Sequence, residues 1–202
     1  MRLSVILIFS LFLAFPLNDD STISMAKGDE GIVPVLVKTE VGEIVVNIDT
    51  QNAPKTSENF LKYVDGGHYN GGSFHRTVHM KNQPDNEIKI EVIQGATARN
   101  KGKGFGELKL ERTSVTGLKH LNGTISMARS GPDTAKSGFF FCINNQPELD
   151  FGGKRNPDGQ GFAAFGQVTK GMDIVKKIQM SKAKGQNLTP SIKILSVERI
   201  KK

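Results

Sequence analysis

Apolar and polar positions alternate over short stretches through most of this chain, and the period lengthens at two places only. Val33 to Lys38 is a β-branched run and Glu43 to Asp49 is a second. Gly42 stands in the turn between them, so the pair reads as a β-hairpin. The first helical period follows Pro54, where Phe60, Leu61 and Val64 share one face. A proline in the first turn forfeits no hydrogen bond, and Gly66-Gly67 ends the element. Alternation then returns. Ser73 to Val78 and Ile88 to Gln94 are expected strands, separated by the polar, turn-rich loop Lys81 to Asn86. Residues 95–123 carry no clear period. Thr124 to Ala128 and Phe139 to Ile143 are expected strands, with Gly131-Pro132-Asp133 as a turn between them. Gly161 to Val168 is a further strand. Gly171 to Met180 is the second helix, with Ile174, Val175 and Ile178 on one face, and Ile192 to Ile200 is the closing strand. No internal repeat is visible. Many short strands with two helices predict a mainly β fold, a closed antiparallel barrel.

The N-terminus departs from this pattern. Met1-Arg2 precedes a nearly continuous apolar run from Leu3 to Leu17. One cation and a short apolar run suit a secretory signal peptide, and the run falls short of the roughly 20 residues that span a bilayer. Ser24-Met25-Ala26 supplies small residues for a cut after Ala26. The expected division is a signal peptide at 1–26 (or an uncleaved N-terminal anchor), a linker at 27–32 and one globular domain at 33–202. The protein is then exported, periplasmic or secreted, or membrane-tethered if the segment stays attached.

With 202 residues, the chain suffices for one domain of ordinary size. Its formal charge is +7, and cleavage after Ala26 would make it +8 by removing Arg2, Asp19 and Asp20. The lysines are scattered and no basic stretch alternates with aromatics, so no nucleic-acid partner is expected. Cys142 is the only cysteine, so an intrachain disulfide is excluded and the core alone must hold the domain. His68, His75 and His79 lack accompanying cysteines or carboxylates at metal-ligand spacing, so no metal is expected. Gly102 to Gly106 lacks the Gly-Lys-Ser/Thr ending of a phosphate loop.

Several segments occur together in a specific order. They are Ala53-Pro54-Lys55-Thr56 leading to Asn59-Phe60, then Phe74-His75-Arg76, then Gln94-Gly95. Ser126-Met127-Ala128 follows, running through Gly131-Pro132 to Ser137-Gly138-Phe139-Phe140. Leu149-Asp150 and Phe165-Gly166-Gln167-Val168 with Gly171-Met172-Asp173 complete the series. Each piece is weak alone. Their joint order, over roughly residues 33–200, resembles the cyclophilin family.

The resemblance implies an eight-stranded closed antiparallel β-barrel capped by two α-helices. It implies peptidyl-prolyl cis/trans isomerisation without cofactor or metal, on proline-containing peptides and unfolded proteins, and so assistance to the folding of exported proteins. A monomer is expected. Arg76 matches the family's catalytic arginine. Gln94 matches the glutamine that holds Arg76 and the substrate carbonyl side. His75 matches a neighbour of the arginine, structural or at the groove edge. Phe140 and Leu149 match the floor and wall of the proline pocket, and strand alternation lets Phe140 face away from Phe139 and Phe141. Ala128 and Arg129 match the strand that pairs with substrate backbone. Phe162 occupies a groove position where the family often has His or Tyr.

The chemistry suits these residue types. The peptide bond resists rotation by about 18–20 kcal/mol because nitrogen shares its lone pair with the carbonyl. Only Xaa-Pro bonds carry a sizeable cis population. A fixed donor aimed at the proline nitrogen favours the twisted state, in which conjugation is lost, over either planar state. Arginine is always charged and carries its donors in a rigid fork.

The chain also departs from the family. A long segment, Thr77 to Ile93, separates Arg76 from Gln94. Alignment back from Gln94 puts Val92 where a methionine is usual and Glu91 where a phenylalanine is usual. Either the pocket is shallower and more polar, or the insertion shifts the register and another side chain fills the gap. Glu148 stands where many members have Trp or Phe, so weak binding of cyclosporin-like inhibitors is expected. Gly138 replaces a usual glutamine. Glu91 and Glu148 together suggest tolerance for basic residues flanking proline. These changes leave open a second reading, a proline-peptide binding module with weak or no catalysis.

Overall fold

A computed structural model describes residues 31–98 and 104–201. The expected signal segment 1–26 and most of the expected linker lie outside the described residues. The elements run β1 (Ile32–Thr39), β2 (Gly42–Asp49), α1 (Pro54–Asp65), β3 (Ser73–Val78), β4 (Val92–Ala96), α2 (Thr113–Thr116), β5 (Thr124–Met127), β6 (Phe139–Cys142), β7 (Ala163–Lys170), α3 (Met172–Gln179), β8 (Ala183–Lys184) and β9 (Asn187–Arg199). A single 3₁₀ turn, Pro147–Leu149, lies between β6 and β7.

The strands pair in the order β1-β2-β7-β5-β6-β4-β3-β9, and β9 pairs back onto β1. Every pairing is antiparallel, so eight strands form a closed barrel, and β8 adds a short hairpin on β9. Closure leaves these eight strands without a free edge. The β-rich, closed-barrel expectation is met, with one helix more than expected, the single-turn α2.

Period-2 alternation accounts for the core. Val35 and Val37 of β1, Ile44, Val46 and Ile48 of β2, and Phe139 and Phe141 of β6 point inward and are buried. Phe60 of α1 lies at 5.2–5.7 Å between ring centroids from Tyr69, Phe139 and Phe165. Val175 and Ile178 of α3 join the same cluster. Gly95 faces this aromatic group. A Cβ there would stand 3.1 Å from Phe74 and 3.2 Å from Phe139, so a larger residue would push both rings by a few tenths of an ångström.

Two departures from the expected boundaries have physical causes. The strand expected from Ile88 begins at Val92 instead. Buried Gln83 takes the backbone of Ile90 out of the sheet, because its Oε1 accepts the Ile90 N–H and its Nε2 donates to the Ile90 carbonyl. The period-free stretch 95–123 also has a job at its far end. Glu111 reaches the first turn of α1, where it accepts from the backbone N–H groups of Lys55 and Thr56 and from the Thr56 hydroxyl. The residue before α1, Ala53, has no capping side chain, so Glu111 caps this helix from a distant point in the chain.

Candidate active site

A second apolar cluster lies on the outside of the barrel. It contains Val78, Ile90, Val92, Phe140, Cys142 and Leu149, with Ala128 and Phe162 packed against it. Val78, Val92, Phe140 and Cys142 are the outward residues of β3, β4 and β6, the complement of the inward set, and Ile90 and Leu149 join them from the segments before β4 and after β6. Above them opens a pocket of about 220 Å³. Ile90, Val92, Phe140, Leu149 and Phe162 make its apolar wall, and Arg76, Gln94, Ala128, Arg129, Arg155 and Asn156 supply its polar edge. The Phe140 and Phe162 rings meet edge to face at 5.3 Å.

Arg76 reaches this pocket through a β-bulge. Phe74 points into the barrel and is fully buried. Without an irregularity Arg76, two residues on, would point inward too. The register instead runs from Phe74↔Gly95 to Arg76↔Gln94, so one extra residue, His75, is accommodated and the parity flips. The guanidinium is then fixed by two amides. Its Nη1 donates to Gln94 Oε1 at 3.1 Å, while Nε and Nη2 both donate to Gln186 Oε1 at 2.9 and 2.6 Å. Partial burial lowers its pKa below the usual arginine value, yet the group stays cationic. Neutral amides hold it without cancelling its charge, and one N–H on each of Nη1 and Nη2 remains for a ligand.

Arg129 is treated differently. It makes a two-pronged pair with Asp158 at 2.8 and 2.9 Å, donates to the Gly161 carbonyl, and lies 4.9 Å over the Phe162 ring. These contacts clamp the 147–162 loop against β5 and neutralise the charge.

Beneath Phe140 lies a buried polar chain. The His120 ring stacks on Phe140 at 6.0 Å, its Nδ1 is 2.8 Å from Asp150 and its Nε2 is 2.9 Å from Ser126 Oγ. The Asp150 carboxylate is held below the usual range by its bonds to His120, against the opposing effect of burial, so Nδ1 carries the proton and Nε2 accepts from the serine hydroxyl. The order resembles a hydrolase triad. However, Ser126 is 0% exposed and does not line the pocket, so no substrate carbonyl can reach it. The chain serves as a fixed support for the pocket floor.

Of the residues singled out by sequence, Arg76, Val92, Gln94, Ala128, Arg129, Phe140, Leu149 and Phe162 converge on this one pocket. Three stand apart. His75, the bulge residue, lines a separate groove with Ser73, Ala96 and Asn187. Gly138 meets the site only through its carbonyl, which accepts the Ala128 N–H. Glu148 turns back on its own loop, where Oε2 accepts the Lys154 N–H at 2.8 Å. Glu91 also turns away, accepting from Asn144 at 2.7 Å. The two carboxylates thus give no acidic wall. The gap left by Val92 and Glu91 is filled by Ile90 from the insertion, the second of the two possibilities. Four further residues belong to the site: Ile90, Arg155, Asn156 and Gln186. The alternation Ile88, Ile90, Val92 was a usable signal for the first. Gln186 and the 155–156 pair carry none.

A closed antiparallel barrel that carries, on its outer face, an apolar pocket edged by an amide-held arginine defines the cyclophilin class. The family model described as cyclophilin type peptidyl-prolyl cis-trans isomerase/CLD matches residues 34–199. A peptidyl-prolyl cis-trans isomerase of Streptomyces antibioticus is 35% identical over 147 residues, covering 72% of this chain and 82% of the relative. Peptidyl-prolyl cis-trans isomerase A of Dickeya dadantii is 35% identical over 157 residues, 77% of this chain and 75% of the relative. In fold, a crystal structure of a Cryptosporidium parvum cyclophilin type isomerase superposes with a TM-score of 0.66 at 24% identity, covering 85% of this chain and 99% of that one. The chain belongs to the cyclophilin type peptidyl-prolyl cis-trans isomerase family and is a peptidyl-prolyl cis-trans isomerase.

Proposed function

We propose that the outer pocket is where this isomerase turns Xaa-Pro bonds, and that Arg76 is the catalytic group. The observation that carries this reading is the Arg76 guanidinium, held by Gln94 and Gln186 at the edge of an apolar pocket. The proline ring seats against Phe140, Leu149, Val92 and Ile90. The segment at Ala128 and Arg129 runs beside it, where an extended peptide adds main-chain hydrogen bonds with little side-chain selectivity. In the planar ground state the proline nitrogen has no lone pair to offer. As the bond twists, the pair localises and a free N–H of Arg76 donates to it. The donor is already in position, so its reorganisation cost is small. Each 1.36 kcal/mol gained only in the twisted state speeds exchange about tenfold. No bond is broken, so no nucleophile, metal or cofactor enters the scheme.

The related Cryptosporidium protein was crystallised in the presence of the dipeptide Ala-Pro, which agrees with a proline-peptide ligand here. Clients are taken to be exported proteins, a reading that rests on Arg2 and the apolar run Leu3 to Leu17. We also propose a monomer, and weak binding of cyclosporin-like inhibitors, since Glu148 offers no flat apolar surface. Nanomolar inhibition would count against the last point.

A protease-coupled assay on a Xaa-Pro peptide tests the main reading. Clear acceleration by the native protein is expected. Binding of the peptide without acceleration would assign a proline-peptide module instead. Cell fractionation with N-terminal sequencing tests export, and an intact Met1 on a soluble cytoplasmic protein would refute it.

A further inference from the structure

The pocket holds more positive charge than a proline needs. Three arginines edge it, and only Arg129 has a carboxylate partner, Asp158. Arg76 is held by neutral amides. Arg155 is held by a carbonyl: its Nη1 donates to Ile88 O at 2.6 Å. Among the described residues no carboxylate pairs with Arg76 or Arg155. Of the acidic groups on the adjoining segments, Glu148 is engaged by the Lys154 N–H, Glu91 by Asn144 and Asp158 by Arg129, and neither Asp85 nor Glu87 of the insertion forms an ion pair with Arg76 or Arg155. Two half-buried guanidinium groups therefore face one cavity without counter-charge.

This is a costly arrangement in the free protein. Burial depresses the Arg155 pKa first, and repulsion from Arg76 depresses it further, so the two charges sense each other. An anion entering the pocket would relieve that repulsion and meet donors that are already oriented. Arg155 has one N–H committed to Ile88 and others available. It is also secured by its backbone, since its N–H donates to the Glu148 carbonyl. The insertion after Arg76 thus has a second consequence beyond supplying Ile90. Its Ile88 carbonyl aims a second arginine at the substrate.

We propose that Arg155 is a specificity residue that selects peptides bearing an anionic side chain next to the proline seated over Phe140. This rests on the outer pocket being the peptide site. It reverses the preference suggested by Glu91 and Glu148, because those carboxylates turn away from the pocket and Arg155 lines it.

The test uses peptides that differ only in the residue before or after proline: Glu, Gln, Lys or phosphoserine. Dissociation constants come from NMR titration, and isomerisation is followed separately on the same samples. Binding then decides the anion preference even if no peptide is accelerated, an outcome that would defeat the isomerase reading alone. At one of the two positions the Glu peptide is expected to bind about five- to tenfold more tightly than the Gln peptide, with Lys weakest, as one charge-assisted contact would give. The advantage should shrink at about 0.5 M salt. Arg155→Gln should bring the Glu/Gln ratio close to one, and Arg155→Lys should retain part of it. The phosphoserine arm tells whether phosphate or carboxylate is the preferred anion. Equal affinity of the native protein for Glu, Gln and Lys peptides at both positions would overturn the proposal, and so would a preference that survives Arg155→Gln. The native comparison stands even if a variant does not fold.

Discussion

At the scale of single residues, the way Arg76 is held matters as much as its presence. A carboxylate partner would fix the guanidinium but compete with the proline nitrogen for its charge. Gln94 and Gln186 orient it and leave the charge in place. Gln186 is a positioning residue, and Gln186→Ala should lower kcat about three- to tenfold with KM nearly unchanged, the loss of about 1 kcal/mol of orientation. A rise in KM at constant kcat would mean that Gln186 binds peptide instead. His120 yields a pH prediction. Burial lowers its pKa below 6.5 despite the opposing bond to Asp150, so the unfolded chain takes up this proton before the folded one does. Stability contributed by neutral His120 is full above about 6.5 and declines as pH falls below it. Asp150, whose folded pKa is also lowered, keeps its stabilisation until lower pH and loses it as pH falls through that lowered value. Denaturant unfolding at pH 7.5, 6.5 and 5.5 should show the decline in the native protein, and a weaker one in His120→Asn. An identical slope in both would reject the assignment. Arg76 and Gln94 were legible in the sequence because they sit in family motifs. Gln186 was not, because it lies 110 residues from the arginine it holds, and only the closed barrel brings them together.

At the scale of elements, alternation and helical period located most of the strands and both longer helices, because those elements bury one face in a single core. Periodicity is silent where side chains replace the backbone ladder. Gln83 satisfies Ile90 and delays the start of β4 to Val92, and Glu111 caps α1 from the period-free segment. Such contacts have no period to detect. Each is open to test. Glu111→Ala strips the acceptor from two N–H groups and a hydroxyl, and should destabilise the domain by about 1–2 kcal/mol in urea unfolding with the m-value unchanged. A change under about 0.3 kcal/mol would mean that water replaces the cap at no cost. The β-bulge at His75 is the other feature that alternation misreads. A regular strand would bury Arg76 with Phe74, and the bulge turns it outward.

At the scale of the molecule, the barrel has two cores that divide the work. The inner one, aromatic around Phe60, Phe139 and Phe165, sets stability. The outer one, with Phe140 and Leu149 at its centre, is the pocket floor, and the buried His120 chain supports it. Consecutive Phe139, Phe140 and Phe141 serve both, a division legible in the sequence from strand alternation alone. Rigid closure by β1 and β9 also explains how Arg76, Gln94 and Gln186, drawn from β3, β4 and the β8–β9 turn, keep their mutual geometry. The central claim is that this fixed arginine acts on the twisted bond and not on ground-state affinity. NMR exchange spectroscopy on one Xaa-Pro peptide, with the native protein and with Arg76→Ala, measures both at once. The account predicts a fall in the catalysed exchange rate of at least about 100-fold, with the peptide dissociation constant changed by less than about threefold. Exchange that persists in Arg76→Ala at near-native rate would contradict it.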